Sequence, residues 1–328
     1  MKSFRCAIVG ATGMVGRMFA QILCERKLPI EKLYLFASAR STGQTIEFEG
    51  RELVIEELTP DVFDRGIDVA LFAVENDFSK KYAPIAVKKG CIVVDNSSAW
   101  RMNPDVPLVV PEVNRDDIAL HKGIIANPNC CAVPAVVALN PLHKKFGVKR
   151  VVFSTYQSVS GAGANGWQDL TDTLAGQPPK HFPYTIAHNV IPHIDRFGDD
   201  GYTGEEKKLI AEIGKILHAP RIKATATTVR VPVYTGHSLS VNISLEKSFD
   251  LSEVRNLLDT APGAVLMDDP ANNIYPIPTI AAGTDLVYIG RIRRDDSFEN
   301  SLNIWVVADN VRKGAATNAV QIAELALF

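Results

Sequence analysis

A short apolar run that ends in a glycine-spaced turn and then reopens as an amphipathic stretch narrows the possible folds more than any other feature of this chain. Phe4 to Val9 reads as a strand, Gly10-Ala11-Thr12-Gly13-Met14-Val15-Gly16 as the turn, and the residues to Cys24 as a helix. Glycines at such a turn let the backbone approach a pyrophosphate, which then sits on the uncapped N–H groups of the helix that follows. The spacing is Gly-x-x-Gly-x-x-Gly, and a glycine pattern alone is weak. Its placement, strand before and helix after, strengthens it. Beyond it, strand-like and helix-like segments alternate: Asp68 to Val74, Ser79 to Lys89, Cys91 to Asp95. That alternation predicts a doubly wound parallel sheet, a Rossmann-type dinucleotide domain.

The second strand, near Leu33 to Phe36, runs into Ala37-Ser38-Ala39-Arg40-Ser41-Thr42. An acidic residue here would hold ribose hydroxyls and repel a 2′-phosphate; Arg40 with the hydroxyls of Ser38, Ser41 and Thr42 would accept one. The expected cofactor is NADP. A solvated loop whose arginine has no ligand is the competing reading.

Composition excludes several classes. The chain has 328 residues, 46% of them hydrophobic, enough for two ordinary cores. A net charge of −2 gives no reason to expect nucleic acid or an anionic membrane as partner. The apolar run near the start is too short for a signal peptide, and no stretch reaches membrane-spanning length. Five cysteines, an odd number, suggest no disulfide framework and point to a reducing, cytoplasmic setting. No metal-ligand spacing is found. His188 and His193, five apart around Pro192, read as structural.

After about residue 130 the pattern changes to longer strands at Arg150 to Ser158, Thr225 to Pro232, Ser238 to Leu245 and Leu302 to Ala308, preceded by a helix from about Cys131 to Lys145. These predict a second, α+β domain over 128–312. The alanine-rich helix from Lys313 to Leu327 is expected to pack back onto the first domain, which then comprises 1–127 plus 313–328.

Asn127-Pro128-Asn129-Cys130 places a cysteine where a strand ends and a helix begins. Unpaired N–H groups there favour the thiolate, so Cys130 is the candidate nucleophile. On these four residues alone, Cys130 and Cys131 could equally be two small buried apolar groups.

Taken together, the glycine turn, Asp95-Asn96-Ser97-Ser98 with Arg101, Asn127-Pro128-Asn129-Cys130, Gln157-Ser158-Val159-Ser160-Gly161-Ala162-Gly163, Arg230-Val231-Pro232 with His237, and Lys313 to Asn318 resemble the bacterial aspartate-β-semialdehyde dehydrogenase family, in order along the whole chain. The resemblance implies NADPH-dependent reduction of L-aspartyl 4-phosphate to the semialdehyde and phosphate, and a homodimer formed through the second domain. One departure stands out: Cys131 occupies a position where the family usually has Ser or Thr. The chemistry calls for a thiolate to form a thioester, an oxyanion site from Asn129 and the helix-start N–H, and an imidazole for the protons. His237 is that imidazole by resemblance, although a lone histidine is commonly structural. Arg230 can fork onto the substrate α-carboxylate, and Gln157 can position the substrate or the thiol. By resemblance Lys208 and Arg101 hold phosphate and Glu205 the substrate amino group, while an ordinary i,i+3 ion pair between Glu205 and Lys208 is the alternative. Ser160-Gly161-Ala162-Gly163 is a close-approach loop suited to the nicotinamide half, and Asn318 could bond its carboxamide. The rival functions are N-acetyl-γ-glutamyl-phosphate reductase and a non-catalytic cofactor-binding paralogue; the latter would be expected to lose Cys130, Arg230 or His237.

Overall fold

A computed structural model describes residues 3–328, which divide into two compact units. The first takes the described residues through Pro128 together with Ala315–Phe328; the second is Asn129–Gly314.

In the first unit, β1 (Phe4–Val9), α1 (Met14–Glu25), β2 (Ile30–Ala37), β3 (Thr45–Phe48), β4 (Arg51–Glu57), β5 (Val69–Phe72), α2 (Asn76–Lys88), β6 (Ile92–Asp95), a one-turn α3 (Pro111–Asn114) and β7 (Ile124–Ala126) follow in order. The seven strands lie in the order β3-β4-β2-β1-β5-β6-β7, all parallel except the β3–β4 hairpin. Along β1, Cys6 and Ile8 enter one apolar cluster while Ala7 and Val9 enter another on the opposite face. Burial on both faces explains why these strands read as continuous apolar runs without alternation. Pairing of β1 with β2 on one side and β5 on the other sets the topological switch point at the β1 carboxyl end, where the glycine turn lies.

The second unit opens with α4 (Ala132–Phe146), whose residues Ala132 to Leu139 are all buried. It continues through β8 (Val148–Gln157), α5 (Gly163–Leu174), α6 (Gly204–Ile216), β9 (Lys223–Arg230), β10 (His237–Leu245), α7 (Leu251–Asp259), β11 (Ala264–Leu266), a one-turn α8 (Pro278–Ala281), β12 (Val287–Asp295) and β13 (Ser301–Ala308). Its six-stranded mixed sheet runs β11-β12-β13-β10-β8-β9. One face is apolar: Val241 lies between Phe153 and Ile304, and Ile243 between Val151 and Leu302. The opposite face presents Ser154, Tyr156, Ser240 and Trp305. Gln157, Arg230 and His237 all sit at one end of adjacent strands, because Gln157 pairs with Arg230 and Tyr156 with Ser238.

A π-helical turn at Arg312–Ala316 leads into α9 (Thr317–Leu327), which contributes Ala319, Val320, Ile322 and Ala323 to the first unit's core. The mixed α/β architecture agrees with the sequence reading. The β3–β4 hairpin, β7, β11 and β12 had no counterpart in it.

Candidate active site

At the glycine turn, Gly10 has φ +89°, and a Cβ there would stand 2.2 Å from the Ala73 carbonyl oxygen. Only glycine meets both conditions. Gly13 occupies the N-cap of α1 with no side-chain cap and no acidic residue in the first turn, so the helix-start amides stay open to an anion. A cavity of about 620 Å³ is lined by Gly10, Thr12, Gly13, Ser38, Arg40 and Glu57, among others. These residues fit a dinucleotide. Ser41 reaches the Thr12 hydroxyl at 3.5 Å; Thr42 is not among the lining residues, and Ala11 is buried. Met14, Val15 and Gly16 form the first turn of α1. The acid missing from the end of β2 has a neighbour the sequence did not reveal: Glu57 ends β4 in register with Ala37.

Asn318 proves to be an internal clamp. It is fully buried, and its amide donates to Val109 O at 2.9 Å and Asn127 Oδ1 at 2.7 Å, which uses both amide hydrogens within the first unit. Arg101 is nearly buried and donates to Asn96 O at 2.7 Å. Burial raises the neighbouring Asp95 carboxyl above the usual range, against its Ser97 hydrogen bonds and the charge of Arg101.

In the second unit, Cys130 precedes the helix and does not lie within its first turn; Cys131 is the N-cap of α4. The sulfurs of Cys130 and Cys131 and a ring nitrogen of His237 all lie within 4.8 Å of one another. Cys130 is half-buried and Cys131 is buried. Burial, with a hydrogen bond to Cys130, pushes the Cys131 thiol well above the ordinary cysteine range, which keeps it protonated.

Asn129 is tied down by three hydrogen bonds. Its N–H donates to Glu212 Oε2 at 2.6 Å, its Oδ1 accepts from Cys131 N–H at 2.8 Å, and its Nδ2 donates to Glu205 Oε1 at 2.8 Å. The Cys131 N–H is therefore taken, and what Asn129 has left for an oxyanion is the second hydrogen on Nδ2. Glu205 also accepts from Gln157 Nε2 at 3.1 Å, and Gln157 Oε1 accepts from the Thr155 hydroxyl at 3.0 Å. The α6 capping box holds this corner: the Glu206 carboxylate accepts from Thr203 N–H at 2.8 Å and from Thr228 N–H at 3.0 Å.

Arg230 is buried and donates from Nη1 to Ser158 O at 2.7 Å, while its Nε has no partner. Burial lowers its pKa, opposed by the charges of Cys130 and Glu205. An unsatisfied buried guanidinium N–H is costly and suits a ligand carboxylate. Gly161 backs this pair: a Cβ there would stand 2.7 Å from Arg230 Nη1 and 3.2 Å from the His237 ring. The Ser160 hydroxyl bonds to Ser158 and Asn310, while Ala162 and Gly163 lead into α5.

Lys208 does not simply pair with Glu205. Its Nζ is 2.6 Å from Asp195 Oδ2 and 3.8 Å from Glu205 Oε2. Asp195, Glu212, Ser158 and Asn310 enter the site without having been assigned roles from sequence. Glu212 alone carried a signal, seven residues beyond Glu205 and so two turns along the same helix face.

Residues 5–121 match the family described as semialdehyde dehydrogenase, NAD binding domain, and residues 139–313 the semialdehyde dehydrogenase, dimerisation domain. An aspartate-semialdehyde dehydrogenase of Aquifex aeolicus is 53% identical over 98% of this chain and 97% of its own length. The Bacillus subtilis aspartate-semialdehyde dehydrogenase is 45% identical over the same shares. Among solved structures, aspartate semialdehyde dehydrogenase II from Vibrio cholerae, complexed with ASA, superposes with a TM-score of 0.96 at 42% identity, covering 100% of this chain and 99% of the other. The Candida albicans enzyme with NADP gives a TM-score of 0.80 at 25% identity, covering 99% and 98%.

Proposed function

Because the chain belongs to the aspartate-semialdehyde dehydrogenase family and is an oxidoreductase that forms aspartate semialdehyde and phosphate from aspartyl phosphate in amino-acid biosynthesis, we propose that Cys130 carries the acyl group and that NADP is the cofactor. The observation that carries this reading is the cluster of Cys130, Cys131 and His237 within 4.8 Å beside two buried donors, Arg230 and Gln157.

The Cys130 thiolate attacks the acyl-phosphate carbon and phosphate leaves, giving a thioester. A bound nicotinamide supplies the hydride when present. The thiohemiacetal on Cys130 then collapses to aldehyde and thiol, with His237 managing the proton. The remaining amide hydrogen of Asn129 steadies the oxyanion. Arg230 takes the α-carboxylate in a planar fork, and Glu205 takes the amino group. Lys208 serves the phosphate, with Arg101 proposed as a second cation for it. Gln157, held by Glu205 and Thr155, orients the substrate.

NADP preference is supported by Arg40 and Ser38 on the cavity wall, even though Glu57 lines it too. Arg40→Ala should weaken NADP by about one to two powers of ten, the worth of one charge-assisted contact, and leave NAD little changed. Equal KM values for both cofactors in the unmodified protein would count against it. A homodimer is proposed through the second unit's exposed sheet face. The decisive assay is the reverse reaction, phosphate-dependent reduction of NADP with aspartate semialdehyde; no signal without phosphate and a strong one with it is the expected outcome.

A further inference from the structure

His237 is fully buried at the start of β10. Its Nδ1 accepts the Ser158 backbone N–H at 3.0 Å and also stands 3.0 Å from the Ser158 hydroxyl, while Nε2 has no partner. With Nδ1 committed to Ser158, Nε2 is the nitrogen left for the substrate and thiol. An N–H donor puts the lone pair on Nδ1, so the neutral ring in that state carries its proton on Nε2. Such a ring can donate to a sulfur or oxygen but cannot accept a proton from one. Accepting at Nε2 leaves a proton on Nδ1, and that N–H then needs an acceptor in a site closed to water.

One acceptor is available. The Ser158 hydroxyl can receive Nδ1–H if its own hydrogen goes elsewhere, and Asn310 Oδ1 lies 3.0 Å away to take it. Asn310 Oδ1 is itself fixed by Gly236 N–H at 3.0 Å and the Ser160 hydroxyl at 3.1 Å. Ser158, Ser160 and Asn310 are all buried. We propose that the Ser158 hydroxyl and Asn310 are positioning residues that give Nδ1–H of the His237 ring its acceptor, so that Nε2 takes the thiol proton to form the imidazolium and then returns it while the Nδ1 proton stays in place.

This inference rests on the reading of His237 as the acid/base group. Other titratable or charged groups bear on the ring. Cys130 and Cys131 lie beside it at the start of α4, and Arg230 approaches along the same glycine-lined wall. Glu205 of α6 acts on Arg230 and Cys131. Asp309, beside Asn310, is engaged with the N–H groups of Gly283, Val311 and Arg312.

The test combines long-range proton–nitrogen NMR of the histidine rings in 15N-labelled protein with the pH profile of kcat. Ser158→Ala keeps the backbone donor and removes the hydroxyl that accepts Nδ1–H. It should pin the His237 proton on Nε2 across the pH range and lower kcat about 10- to 100-fold, part of what general acid/base catalysis contributes. The KM values for semialdehyde and phosphate should stay near wild type. Asn310→Asp keeps an acceptor oxygen for the Ser158 hydroxyl, so it should keep the wild-type ring signals. Wild-type ring signals and profile in Ser158→Ala overturn the proposal, as does a loss divided equally between kcat and KM with unchanged ring signals. Undiminished turnover in His237→Ala would instead overturn the reading of His237, and the NMR comparison would still decide whether Ser158 governs the tautomer.

Discussion

Two adjacent cysteines in this chain have the same side chain and different surroundings. Cys131 is fully enclosed and its thiol is held protonated; Cys130 retains access. Cys130→Ser should lower turnover by several orders of magnitude, since a hydroxyl is a far poorer nucleophile than a thiolate, and Cys131→Ser should be much milder. Steady-state rates of both variants decide it, and equal severe losses would leave the assignment without support. Glu212 offers a second test at this scale. Its carboxylate takes the Asn129 N–H, so Glu212→Ala strands a buried donor and should cost about 1–3 kcal/mol in denaturant unfolding, as well as slowing turnover through a displaced Asn129. Glu212→Gln keeps an acceptor oxygen and should recover most of the stability; an equally damaged Gln variant would argue against the hydrogen bond. The candidate nucleophile could be named from sequence because its motif is local. The hydrogen bonds that govern its neighbours were not, because Asn129 to Glu212 and Ser158 to Asn310 span distances in sequence that no short pattern encodes.

Elements with continuous apolar runs or long amphipathic faces were read correctly: β1 is Phe4–Val9 as expected, and α4 begins one residue after its expected start. Those missed were short or polar. The Thr45–Phe48 strand alternates exposed and buried residues over only four positions, and Val287–Asp295 mixes arginines with valine and isoleucine. Their strand identity comes from pairing partners supplied by the rest of the sheet. The turn between β1 and α1 was legible because its glycines answer a steric demand. Gly10→Ala combines a positive φ with a contact at 2.2 Å, so it should raise the KM for the dinucleotide and destabilise the protein by more than about 1 kcal/mol. Thermal melting with and without cofactor would measure both, and an unchanged melting temperature would show that the turn relaxes freely.

For the molecule as a whole, the face of the second sheet that carries Tyr156 and Trp305, rings 5.4 Å apart, is the surface proposed to meet a second copy. Tyr156 is 40% exposed in the single chain. Sedimentation should report a dimer, and Trp305→Glu should shift it towards monomer by burying a charge in that contact; a variant that stays dimeric would place the interface elsewhere. No helix among the described residues is long and apolar enough to cross a membrane.

The first unit is discontinuous in sequence, completed by α9 only after all of Asn129–Gly314 has intervened. During synthesis, the surface that receives Ala319, Val320, Ile322 and Ala323 stays bare while the ribosome makes the second unit, on the order of tens of seconds. The second unit is contiguous and can fold first. The dinucleotide domain, although it emerges earlier, can finish only later, so a nascent chain halted before Thr317 would display an open apolar flank to chaperones and proteases.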